Sequence, residues 1–350
     1  MENPYLTPPI DTRFEHPEKL TEKEATEESE LLTEAIEHHN YLYYVRNRPE
    51  VSDETFDALF KRLQQLETSF PQLRRENSPT QRVGAPPVEE LPRVEHYAPL
   101  LSLSSAVESE EIEGFVDFIQ RQLPRKSPRF VLEPKLDGLS VEVVYRDGIF
   151  ERGSTRGDGR TGEDISRNLK TIGALPLRLR RTDSLPQLLV VRGEVLLSKS
   201  GFLRVNRERT ESGLEPFANP RNAAAGSVRQ LDSSQTASMP LDIFFYELLL
   251  AQGFAGETHW ESLSLFPDWG LKTNSFNRRA ESFEEMAEYF GELTEKREEL
   301  DYEIDGVVIK LDQQALREEL GYRNRSPRWA MAWKFPPRQE TTTLREIVVQ

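Results

Sequence analysis

The sequence predicts an α+β protein: a helical N-terminal hairpin followed by a larger domain of mixed or antiparallel sheets. Three observations carry this reading. Residues 31–70 space their apolar side chains at helical intervals and are interrupted once, by a turn. Beyond residue 130 the apolar runs are short and alternate with period two, and Arg146-Asp147-Gly148 has the form of a tight hairpin turn. No regular succession of strands and crossover helices accompanies them, which argues against a doubly wound parallel sheet.

Size and composition narrow the possibilities further. At 350 residues and 37% hydrophobic content the chain can bury one large core or two modest ones. It has no long apolar run and no signal-peptide pattern, so no membrane is expected and the cytoplasm is the default. The absence of cysteine excludes disulfides and thiolate zinc sites. The formal net charge is -15, and residues 1–30, with nine acids and three bases, contribute -6 of it. Such a balance argues against a protein that coats nucleic acid through phosphate neutralisation, while leaving room for local basic patches.

Taken in order, residues 1–29 are acidic and proline-rich without periodicity, and are expected to form a disordered leader. A helix follows from about Leu31, with Leu32, Ala35, Ile36 and His39 on one stripe. A second helix starts after Ser52, with Phe56, Leu59, Phe60, Leu63 and Leu66 as its apolar side. The hairpin and a proline-punctuated linker occupy residues 30–95, and the sheet domain spans 96–336. Within it a helix is expected over 109–122, and strands over 131–144, 188–197, 243–246, 303–311 and 328–335. A surface helix is expected over 281–299.

The chemistry gathers on these strands. In Val131-Leu-Glu133-Pro-Lys135-Leu-Asp137-Gly138, alternation places Glu133, Lys135 and Asp137 on one face, expensive to bury without partners or work to do. Glu194, Lys310 with Asp305, and Lys334 likewise sit inside apolar runs. A single lysine of this kind is usually a snorkelling surface residue. Several cations together with Arg156 instead suggest a site that clamps phosphates and stabilises charge developing on phosphorus. The loop Gly157-Asp-Gly159-Arg-Thr-Gly162 matches G-x-G-x-x-G literally, but its strand returns from a hairpin and opens no βαβ unit.

Lys135-Leu-Asp137-Gly138, Thr155-Arg156-Gly, Arg192-Gly-Glu194, Asn219-Pro-Arg221-Asn, Asp305-Gly306-Val-Val-Ile-Lys310 and Trp333-Lys334-Phe occur in this order. Together they resemble the covalent lysine nucleotidyltransferases, and among these the bacterial NAD-dependent DNA ligases. The resemblance spans about Leu31 to Phe335. It implies a nucleotidyltransferase domain of the DNA ligase, ATP-grasp-like type, in which Lys135 attacks the adenylyl phosphorus of NAD and releases nicotinamide mononucleotide. An attacking amine must be unprotonated, which neighbouring positive charge and desolvation would favour.

By the same resemblance Asp137 orients the amine or, with Glu194, helps hold a transient magnesium ion, no lasting metal site being expected in the chain. Glu133 reads the adenine amino group, Glu194 contacts ribose, Tyr246 stacks on adenine, and Ser102 and Leu103 pack beside the adenosine. Arg156, Arg221, Lys310 and Lys334 contact nucleotide and phosphate, and Arg229 and Arg297 line the site or the DNA path. The hairpin resembles the module that closes over the nicotinamide half, with Tyr43, Asp53 and Asp57 at its contact positions. Tyr44 stands where some members have histidine, and Phe56 replaces a usual tyrosine, removing a hydroxyl.

Relatives of this family continue into an oligonucleotide-binding domain, a zinc module, helix-hairpin-helix repeats and a BRCT domain. Residues 337–350 are therefore expected to be a linker and the first strand of the next domain, and zinc to belong only beyond it. The expected partner is nicked duplex DNA, bound weakly by these residues alone, and the expected state is a monomer. An ATP-dependent polynucleotide ligase or capping enzyme, which shares the lysine chemistry, and a silent NAD-binding scaffold remain as alternatives. The hairpin argues against the first and the intact lysine and acid set against the second.

Overall fold

Thr21 starts the first long helix. Its hydroxyl accepts the Glu24 N–H at 3.3 Å while the Glu24 carboxylate accepts the Thr21 N–H at 2.8 Å, a reciprocal cap. This helix, α1 (Glu22–Tyr44), pairs with α2 (Asp53–Ser69), whose first turn is capped by Ser52. Leu32 and Ile36 from one helix and Leu59, Leu63 and Leu66 from the other form a separate buried core. Each such side chain contributes about 1.5–3 kcal/mol by leaving water. The computed structural model describes residues 3–46, 48–75, 77–82, 88–180, 185–254, 256–323 and 326–336. The expected linker and strand over 337–350 lie outside them.

The leader expected to be disordered over residues 1–29 is ordered from Asn3. Tyr5, Ile10, Phe14 and Leu20 pack against the hairpin core, and α1 already begins at Glu22. Polar ties reinforce the packing: Asn3 Nδ2 donates to the Leu31 carbonyl at 2.9 Å, and buried Arg62 donates to the Glu15 carbonyl and to both Glu28 oxygens. The four apolar anchors are irregularly spaced among acids, so no periodicity reveals them.

The larger unit begins with β1 (Arg93–Glu95), β2 (Ser104–Ala106), α3 (Ser109–Gln122), β3 (Phe130–Leu136), β4 (Leu139–Arg146), β5 (Ile149–Thr155) and β6 (Thr161–Glu163). It continues through α4 (Ser166–Leu169), β7 (Leu188–Leu197), α5 (Lys199–Glu211), α6 (Pro220–Val228), α7 (Ser233–Ala237), β8 (Leu241–Ala251) and α8 (His259–Trp269). It ends with β9 (Arg278–Ala280), α9 (Phe283–Lys296), β10 (Ile304–Leu311), α10 (Gln314–Leu320), β11 (Tyr322–Arg323), β12 (Ser326–Pro327) and β13 (Ala330–Lys334). One sheet has the order β2-β13-β10-β3-β9, antiparallel except for the β2–β13 pair, and the other the order β5-β4-β7-β8. The α+β expectation holds.

Each sheet has an apolar face. Leu132, Val307, Ile309 and Trp333 of the first pack on α3 and α9 through Phe115, Ile119, Met286 and Leu293, and Phe290 stacks on Trp333 at 4.1 Å. Val141, Val143, Tyr145, Val191, Val195 and Phe245 of the second pack against Phe266 and Trp269 of α8. The run from Val131 to Val144, read from sequence as one strand, is two. The chain leaves the first sheet after Leu136 and enters the second at Leu139. Gly138 makes the crossing possible, since a Cβ there would lie 2.2 Å from the Val195 carbonyl oxygen. Among the described residues no helix is long and apolar enough to cross a membrane.

Candidate active site

Register builds the site. Antiparallel pairing sets Lys135 opposite Gly306, and Gly306 opposite Lys334, so the two lysines flank a residue without a side chain. One row along the same face lie Glu133, Val308 and Ala332, and the next holds Val131, Lys310 and Ala330. Because side chains of one row share a face, Lys135, Lys334, Glu133 and Lys310 all point away from the α3 and α9 core. Gly306 is needed by geometry: a Cβ there would come 2.2 Å from the Trp333 carbonyl oxygen.

Lys135 Nζ donates to both oxygens of Asp305 at 2.8 and 2.9 Å, half-buried at the end of β3. Sequence alternation pairs Lys135 with Asp137, but Asp137 lies past the strand end and accepts instead from Arg221 Nη1 at 2.9 Å.

Deeper in, the Glu133 carboxylate is almost entirely enclosed. His259 Nε2 lies 2.6 Å from Oε1 and Lys310 Nζ 2.9 Å from both Oε1 and Oε2, and Lys310 also donates to the Tyr246 carbonyl at 3.0 Å. Burial pushes the acidity of Glu133 towards the neutral form, but Lys310 and His259 outweigh it and hold the carboxyl below its ordinary value. Burial, with Lys310 and Arg317, brings His259 down to about 4, so its ring is neutral at neutral pH.

A relay of donors crosses the second sheet. Arg192 Nε donates to Ser140 Oγ at 2.9 Å, the Ser140 hydroxyl lies 2.9 Å from the Tyr246 oxygen, and that phenol donates to Glu194 Oε2 at 3.1 Å. Each hydroxyl accepts on one side and donates on the other. Arg192 Nη1 also donates to the Leu101 carbonyl at 3.1 Å, which ties down the segment bearing Ser102 and Leu103. Ser102 is exposed and Leu103 half-buried against the first sheet's core. Burial raises Glu194 to about 7 against the pull of Arg192, although the residue keeps some surface. The Tyr246 phenol is likewise pushed up by burial.

Other expected residues are not gathered here. Arg156 is exposed on its loop, where its carbonyl accepts from the Gly159 N–H at 2.9 Å. Arg229 makes a two-point pair with Glu163, 2.6 Å at each nitrogen. Arg297 follows α9, its guanidinium 5.4 Å from the Phe335 ring. Tyr43, Asp53 and Asp57 are exposed on the hairpin and make no hydrogen bond or ion pair to the Lys135 group among the described residues. Instead Tyr44 lays its ring on Gly173 of the larger unit. Among the described residues no group of three or more His, Asp or Glu could hold a metal. Asp137 and Glu194 flank Gly138, a donor pair that fits an ion bound mainly through substrate phosphates.

A lysine at the junction of two sheets, with cations on its face and a hydrogen-bonded acid opposite, is the arrangement of a covalent nucleotidyltransferase. Comparison with known proteins narrows the class. The model of the NAD-dependent DNA ligase adenylation domain matches residues 88–338, and that of the DNA ligase-like N-terminal NAD+-binding domain matches residues 22–84. A DNA ligase of Haloarcula marismortui is 47% identical over 99% of this chain and 50% of its own length. That of Salinibacter ruber is 47% identical over 94% and 48%, and that of Geotalea uraniireducens 49% identical over 91% and 48%. The chain belongs to the NAD-dependent DNA ligases. It spans about half the length of the curated relatives it matches.

Proposed function

We propose that this chain carries out the first step of an NAD-dependent DNA ligase, transfer of the adenylyl group of NAD to Lys135. The observation that carries the reading is the row Lys135, Gly306, Lys334, with Asp305 on the attacking amine. Asp305 takes a proton from the Lys135 ammonium, the freed lone pair forms a bond to the adenylyl phosphorus, and the nitrogen then releases a second proton to solvent to leave a neutral P–N–H linkage. The bond from that phosphorus to the bridging oxygen breaks, and the electron pair leaves on the phosphate of nicotinamide mononucleotide. Lys334 stands two strands, about 10 Å, across the row and places positive charge where the pyrophosphate would lie. Asp137 and Glu194 would hold a magnesium ion, which when bound would shield the phosphate charge from the nucleophile.

In this reading Glu133 accepts from the adenine amine, Tyr246 borders the base, and Arg156, Arg221 and Lys310 contact nucleotide or phosphate. Tyr43, Asp53 and Asp57 meet the nicotinamide half when the hairpin approaches Lys135. Nicked duplex DNA is the eventual acceptor, Arg229 and Arg297 lie on its path, and the protein acts as a cytoplasmic monomer. A polypeptide of these 350 residues binds DNA weakly, because its -15 net charge opposes phosphate contact, and seals nicks poorly. The test is peptide mapping after incubation with NAD and magnesium, alongside a nick-sealing assay. The reading requires the adenylyl group on the peptide containing Lys135, and modification elsewhere or none at all contradicts it.

A further inference from the structure

We propose that His259 is a positioning residue that orients Glu133 to accept a hydrogen bond from a purine 6-amino group, and so sets adenine over hypoxanthine in the dinucleotide. The inference rests on the function proposed above and extends it to a residue outside the lysine and acid motifs. His259 opens α8, and its place is fixed twice over. Its own N–H donates to the Asp312 carbonyl at 2.8 Å, and the next residue's N–H donates to Asp312 Oδ1 at 2.9 Å. The imidazole and Glu133 side chains are 1% and 4% exposed, so water does not compete for the 2.6 Å contact between them.

The pair fixes both orientation and charge state. Lys310 lies 2.9 Å from both carboxylate oxygens and His259 adds a second contact to Oε1, so Oε2 is the oxygen that keeps a further lone pair. A carboxylate held in this way accepts from an amine and repels a carbonyl. The ring is neutral at neutral pH, and because an ionised carboxylate can only accept, the ring's one proton belongs on Nε2 facing Glu133, which makes it a donor of fixed direction. Glu133 shares its strand face with Lys135 one row away, so the base it reads would lie beside the reacting phosphorus.

Loss of the imidazole leaves a buried carboxylate one donor short. Lys310 then holds the carboxylate alone, and the group can turn about its Cγ–Cδ bond. The lone pair on Oε2 is no longer aimed at the 6-amine of adenine, and the preference over the 6-carbonyl of hypoxanthine weakens. A role limited to packing would lower stability and the transfer rate from both substrates alike, leaving their ratio unchanged.

The experiment compares nucleotidyl transfer to Lys135 of the full chain from NAD and from nicotinamide hypoxanthine dinucleotide, in wild type, His259→Ala and His259→Gln, with melting temperatures alongside. The wild type is expected to prefer NAD by about tenfold or more, the scale of one hydrogen bond to a charged group. His259→Ala should reduce that preference by about tenfold, and His259→Gln, whose amide nitrogen reaches towards the position of Nε2, should restore most of it. Transfer from NAD with an unchanged ratio in His259→Ala, or a wild type without preference, overturns this proposal and leaves the lysine chemistry standing. Transfer from neither dinucleotide overturns the underlying reading as well.

Discussion

An alanine at position 306 would place its Cβ 2.2 Å from the Trp333 carbonyl oxygen and 2.8 Å from the Lys334 Cα. Both obstacles are backbone, so no rotamer change relieves them, and β10 and β13 must separate or slide. Overpacking of this kind costs about 1–3 kcal/mol, and the upper end applies here because the clash falls inside a paired ladder. The same movement shifts Lys334 relative to Lys135, and a displacement of about 1 Å at a reacting centre lowers rates by roughly a hundredfold. Gly226 of α6 supplies the control, since a Cβ there meets nothing within 4 Å and alanine in a helix interior gains about 0.5–1 kcal/mol. Thermal unfolding and the rate of adenylyl transfer would be measured on Gly306→Ala, Gly226→Ala and wild type. A Gly306→Ala variant with wild-type stability and rate would refute the argument that the empty row between the lysines is required.

Glu37 gives a pH-dependent prediction. Burial raises it to about 7 from the ordinary 4.5, against the pull of Arg178 and Arg82, so the folded protein holds a proton that the unfolded chain has shed. Its contribution to stability is therefore complete below about 4.5 and is lost as the pH rises towards 7. Relative to wild type, Glu37→Gln should gain stability across that interval, read by denaturant titration at several pH values, and a constant difference would contradict it. Arg192→Lys removes the fork that joins Ser140 to the Leu101 carbonyl, and should slow adenylyl transfer about tenfold with little change in melting temperature. Gly173→Ala puts a Cβ within 2.4–2.7 Å of the Tyr44 ring and should loosen the hairpin from the larger unit. Small-angle scattering would show a larger radius, and an unchanged radius would count against Tyr44 as the docking contact.

Much of the site was legible because charged residues stand out inside Val and Ile runs. The strand over Leu188–Leu197 is placed as read, and Asp147 and Gly148 both take positive φ, 50° and 76°, as a two-residue hairpin turn demands. What was missed depends on pairings remote in sequence. Asp305 is 170 residues from Lys135, and only the β3–β10 register shows that it, and not Asp137, holds the amine. His259 reads locally as part of a helix start, Thr258-His-Trp-Glu261, and its partner Glu133 lies 126 residues away. The relay from Arg192 to Glu194 is invisible for the same reason, since Tyr246 enters it at an irregularity in the β7–β8 ladder. The ordered leader escaped notice because four scattered apolar side chains are outnumbered by acids.

Intact-mass spectrometry tests the central claim most directly, on protein first stripped of any bound nucleotide and then incubated with magnesium and either NAD or ATP. The account predicts a gain of one adenylyl group with NAD, none with ATP, and none in Lys135→Ala. A gain from ATP alone, or an undiminished gain in Lys135→Ala, would contradict it.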